Sequence, residues 1–177
     1  MRVLRKIFMV FCCISLLSAC EREEDRLTFS IITDNQFTIQ NGLNESTPVR
    51  LSTPEIETNS AQRFENNETR ADLVKDIYLK NCVLNIMLPD DQTFGFLKSI
   101  EVFISAENLP EILIAGKSNI PNNTGNEIVL HNAGEPLDRY IKKEKIRFRF
   151  RVVTREFVSE NIKINCRNTF EVTADQI

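Results

Sequence analysis

Tryptophan is absent from this 177-residue chain, histidine occurs once and glycine five times. Sugar-binding platforms are built from exposed aromatic rings, so a chain with no Trp and only Tyr78 and Tyr140 argues against glycan capture. The single histidine, His131, has no Cys or carboxylate cluster at ligand spacing and makes neither a zinc site nor a histidine-based triad. It reads as a loop residue beside the turn Asn132-Ala133-Gly134. Five scattered glycines provide neither a phosphate-cradling loop nor a nucleophile elbow. Asp90-Asp91 and the Asn-rich stretch 119–126 carry oxygen ligands but follow no calcium-loop pattern. The expectation is a non-enzyme with no catalytic residue, no metal and no bound cofactor.

Long apolar runs are missing as well. The longest, "IFMVFCCISLL" at 7–17, has eleven residues, against the roughly 20 that a helix needs to cross a bilayer. Preceded by Arg2, Arg5 and Lys6, it has the layout of an export signal. It ends in Leu17-Ser18-Ala19-Cys20, which resembles the lipobox of bacterial lipoproteins: Leu, two small residues, then Cys. By that resemblance residues 1–19 are a signal peptide, Cys12 and Cys13 leave with it, and Cys20 carries a diacylglycerol thioether and an N-acyl chain. Two or three chains, at about 0.8 kcal/mol per buried methylene, hold a protein to a membrane almost permanently.

Positive charge is scarce in what remains. With the three leader residues gone, 19 of the 22 basic side chains face all 25 acidic ones, a balance of −6. Nucleic acid, which demands clustered positive charge, is an unfavourable partner. Residues 20–25 form an acidic tether, and "EREED" after Cys20 is similar to the surface-export signal of lipoproteins of the Bacteroidota, with Arg22 where Lys is commoner. The expected location is the outer membrane, lipid-anchored and facing the exterior.

From residue 26 to 177 the apolar pattern has period two, the mark of half-buried strands in one domain. Residues 27–31 and 37–39 read as two short strands about an Asp34-Asn35 turn. Residues 41–72 read as irregular connections, with edge strands near Val49–Leu51 and Ile56 and a helical turn near Glu68–Leu73. The segment 74–88 alternates throughout if a bulge absorbs one residue near Lys80-Asn81, and Pro89-Asp90-Asp91 turns the chain. Strands follow at 96–106, 111–116 and 126–131, then a short helix near 136–143 started by Pro136, then two long strands, "KIRFRFRVVT" and "NIKINCRNTFEVTA". This sums to an all-β, antiparallel two-sheet sandwich, immunoglobulin-like, with one short helix.

Two further features carry open alternatives. Cys82 and Cys166 continue inward-facing alternations, so they are a candidate disulfide, worth about 4 to 5 kcal/mol for a loop of 84 residues, or else two buried thiols. Arg147, Arg149 and Arg151 alternate with Phe148 and Phe150. They form either an anion-binding stripe for phosphate groups of lipopolysaccharide or phospholipid, or the outer face of a strand paired with acids such as Glu101 or Glu171. The lysine flanking the stripe suits an edge strand. Together with the lipobox and tether, the run "FGFLKSIEVFISAENLPEILIAGKSNIP" resembles small single-sandwich lipoproteins of the Bacteroidota, which have no activity to carry over. The function expected is a non-catalytic interaction module, attached to the membrane through its lipid and binding an unknown protein or envelope component. The alternatives are a periplasm-facing accessory that uses the arginine stripe, or a fibre subunit exchanging strands through residues 26–40.

Overall fold

A computed structural model describes residues 26–177. The expected signal peptide, Cys20 and the expected tether lie outside the described residues.

The chain opens with β1 (Arg26–Ile39), a single strand of 14 residues where two were expected. Asp34 and Asn35 do not turn it, because their side chains obey the alternation. Asp34 points outward to Arg167, and Asn35 points inward to accept a hydrogen bond from Asn168. Short strands β2 (Pro48–Ser52) and β3 (Ile56–Glu57) follow. The helical turn expected at 68–73 is instead helix α1 (Ser60–Glu65), placed by Phe64, which is buried and meets Phe29 edge-on with ring centroids 6.3 Å apart.

Strand β4 (Val74–Leu88) contains the expected bulge: Thr169 opposes Asn81 and Phe170 opposes Leu79, so Lys80 is the extra residue. A 3-10 turn at Phe94–Phe96 leads into β5 (Leu97–Ala106), β6 (Ile112–Ser118), β7 (Glu127–Val129) and β8 (His131–Asn132). Helix α2 (Asp138–Ile141) is shorter than expected, because Pro136 is occupied in an isolated bridge with Tyr78 and only Leu137, Tyr140 and Ile141 turn inward. The Tyr140 hydroxyl fixes the helix by donating to the Pro110 carbonyl at 2.8 Å. Strands β9 (Lys145–Thr154) and β10 (Ile162–Asp175) close the fold.

Two antiparallel sheets result, β1-β10-β4-β7 and β2-β9-β5-β6-β8, with β3 pairing β9 beside β2. They face each other as the expected sandwich. Alternation along β10 buries Ile162, Ile164, Phe170 and Val172, and along β9 it buries Ile146, Phe148, Phe150 and Val152. Between the sheets Phe37 stacks on Phe150 with centroids 3.8 Å apart, so the aromatic contact joins the two layers directly. Strand β9 is not an edge, as its flanking lysine had suggested. It lies between β5 and the pair β2 and β3, which is where so apolar an inner row has to go.

Candidate functional site

The arginine stripe occupies the outer face of β9, in the middle of its sheet. Register sets Arg151 directly opposite Glu101 and Arg149 directly opposite Phe103 on β5. Arg151 forms an ion pair with Glu101, and Arg147 pairs with Glu55 at 3.1 Å. Arg149 engages Glu111 through two nitrogens, Nε to Oε2 at 2.6 Å and Nη2 to Oε1, while its guanidinium carbon lies 4.2 Å above the Phe103 ring. The hydrogen bond from Arg149 holds the Glu111 carboxyl below the usual carboxylate range, and Glu111 in turn pushes Arg149 up. Arg151 is raised chiefly by its hydrogen bond to Glu101. The candidate anion-binding stripe of Arg147, Arg149 and Arg151 is thus ion-paired at every member. Each cation already faces a carboxylate, and a phosphate would have to displace all three acids. Glu101 is the partner that strand pairing suggested, whereas Glu171 turns to Lys80 at 2.5 Å.

Cys82 and Cys166 are brought together in the core, both fully buried, with sulfurs 3.9 Å apart as free thiols. A disulfide needs about 2.05 Å. The gap follows from register, because Cys82 opposes Asn168 and Cys166 opposes Leu84, so the two cysteines are diagonal neighbours. Of the two alternatives, the structure holds the thiol pair. Contact with Cys82, and then burial, push the Cys166 thiol well above its ordinary value, which suppresses the reactive thiolate.

Around this pair lies a buried polar island that alternation alone did not reveal. Cys166 Sγ approaches Asn168 Oδ1 at 3.7 Å, and Asn168 Nδ2 donates to Asn35 Oδ1 at 3.3 Å. Asn35 Nδ2 and Thr33 Oγ1 are buried without a partner among the described residues. The available signal was parity: positions 33, 35 and 168 are inward positions occupied by polar residues.

A second feature missed in the sequence is Arg155. Its guanidinium donates to the carbonyls of Gly95, Leu97 and Ile120, and its amide donates to Phe96 at 2.6 Å. Three loops at one pole are thereby clamped. Gly95 is part of the same junction, since a methyl group there would run into the Asn122 carbonyl.

The remaining sequence candidates do not converge. His131 is exposed in β8, Tyr78 is exposed while Tyr140 is buried, and Asp90-Asp91 sits in an exposed turn after the cis Leu88-Pro89 peptide. In the loop 119–126, the carbonyls of Ile120, Pro121, Gly125 and Asn126 are taken by Arg155, Thr124, Phe94 and Ile86. Among the described residues no three His, Cys, Asp or Glu side chains gather at metal-binding distance. The larger hollows are open grooves such as the one along Glu57, Asn59, Lys142, Glu144 and Lys145, in which charges of both signs alternate.

No family model and no curated protein matches the chain. Among solved structures it is similar to the decameric capsid protein of BFDV, at 9% identity and a TM-score of 0.39, over 84% of this chain and 99% of that one. It is also similar to FLHE, at 13% identity and 0.35, over 85% and 98%. At these scores the likenesses carry nothing about its role.

Proposed function

We propose that the protein is a lipid-anchored module on the outer membrane of a bacterium, facing the exterior, and that it acts by binding a protein or envelope component rather than by catalysis. The observation that carries this reading is Leu17-Ser18-Ala19-Cys20 followed within six residues by the first strand, Arg26. Six residues reach about 20 Å at most, so an anchored sandwich stands close to its membrane. Register then orients it. Arg26 pairs with Asp175 at the near pole, and Ile39 pairs with Ile162 at the far pole, about 45 Å away along a strand of this length. The far pole carries two exposed apolar side chains, Phe157 in a loop (60% exposed) and Leu88 at the end of β4 (54%). The arginine stripe supports the alternative role poorly, because its charge is already met.

The reading is tested by labelling cells with radioactive palmitate and by shaving intact cells with protease. Wild-type protein should take up label, Cys20→Ala should not, and protease should release the sandwich from intact cells. Absence of label in the wild type would overturn the anchor, and full protection from protease would overturn the outward orientation.

A further inference from the structure

Five strands border the two sheets, β2 and β3 sharing one side, and four of them are blunted. β7 has three residues, β3 and β8 have two each, and β2 has five beginning with Pro48. Short strands and proline are the devices that keep sheet edges from pairing. The remaining border, β1, has none of them. It runs for 14 residues with no proline, glycine or lysine, and its register with β10 is unbroken by any bulge. Among the described residues, no hydrogen bond joins its backbone to any strand except β10. A straight ladder of unpaired amides and carbonyls is thus left along one side of the molecule, on a protein that protects every other edge.

The outward row of β1 is Arg26, Thr28, Ser30, Ile32, Asp34, Gln36 and Thr38. These residues suit a strand that is paired on both sides. Ile32 is 46% exposed at the middle of the row, and the one acid, Asp34, is drawn toward β10 by Arg167 and Asn165. Its carboxyl is pulled low: burial alone would raise it, and the hydrogen bonds from Arg167 and Asn165, with the Arg167 charge, outweigh that.

We propose that this edge pairs with the same edge of a second copy of the chain, antiparallel about a two-fold axis at Ile32, joining two four-stranded sheets into one. The residues choose both the partner and the register. With the axis at Ile32, isoleucine meets isoleucine, Ser30 meets Asp34 of the second copy, Thr28 meets Gln36, and the terminal members Arg26 and Thr38 fall opposite each other, so every outward pair is apolar with apolar or donor with acceptor. Moving the axis to Thr33 sets Ile32 against a carboxylate, and moving it to Asp34 sets two carboxylates face to face. Cores of both copies lie on the same side of the joined sheet, which keeps the ladder in phase.

Single-cysteine variants of the full chain in mild detergent test this, with mild oxidation as the readout. Ile32→Cys should give a covalent dimer in high yield. Thr28→Cys and Gln36→Cys should each give little alone but form a mixed dimer when combined, and Val129→Cys, exposed on the opposite border of the sheet, reports random collision. Ile32→Lys, with an unchanged circular dichroism spectrum, should lower the dimer fraction in native mass spectrometry by about tenfold or more. A monomeric wild type, equal crosslinking at all positions, or a dimer indifferent to Ile32→Lys would overturn the proposal.

Discussion

Arg149 is held by two contacts of different kinds, a two-pronged carboxylate and an aromatic face, and only the first depends on pH. Glu111→Gln weakens that contact and should cost about 1 kcal/mol in urea unfolding, since the pair is partly solvated. The sign of the pH effect follows from the lowered carboxyls of Glu111 and Asp34. Both are more acidic folded than unfolded, so their stabilisation is fully present above their ordinary values of 4.5 and 3.8 and is lost as pH falls through the depressed ones. Acid titration of the unfolding midpoint should show that loss, with a smaller drop in Glu111→Gln. Thr33 offers a change of opposite sign. Its buried hydroxyl has no partner among the described residues, so Thr33→Val, of nearly equal shape, should leave stability unchanged or raise it by about 1 kcal/mol in thermal unfolding. The pairing of Arg151 with Glu101 was legible in the sequence as a cross-strand possibility. The polar island could be found only through parity along β1 and β10, a signal hidden once Asp34-Asn35 is read as a turn.

Among the elements, the long strands β4, β5, β9 and β10 were legible because alternation over ten or more residues overrides local ambiguity, whereas Asp34-Asn35 made β1 read as two strands. Even the bulge at Lys80 could be anticipated from a slip in phase. Short elements were legible unevenly. Pro136 and the spacing of Leu137, Tyr140 and Ile141 announced α2, and β2 and β3 lie where edge strands were expected, whereas α1, with six residues, is too short for periodicity to register and is held by packing around Phe64 rather than by propensity. The loops of the far pole depend likewise on Arg155 and Gly95. Gly95→Ala should destabilise by about 2 kcal/mol or more, because backbone rather than a flexible side chain occupies the space. Thermal unfolding checks this, and hydrogen exchange should show the loss of protection concentrated at 94–97 and 119–122.

For the molecule as a whole, the stacked Phe37 and Phe150 join the two sheets directly. Phe150→Ala should cost about 3 to 5 kcal/mol while preserving a single transition, since its cavity opens between layers rather than within one. The buried thiols report the same event. Cys82 and Cys166 should resist alkylation in the folded domain and react together once denaturant opens the sandwich, as followed by mass spectrometry. By itself the sequence determined the two-sheet architecture, because period-two alternation admits few other ways to bury that many apolar residues. What the tertiary structure alone decided were the relations that depend on which strand lies beside which: the carboxylate facing each arginine, the diagonal offset that keeps the two sulfurs apart, and the single long edge left open. Those follow from register between segments far apart in sequence, as at Arg167 and Asp34, separated by 133 positions, and no local pattern encodes a distance of that kind.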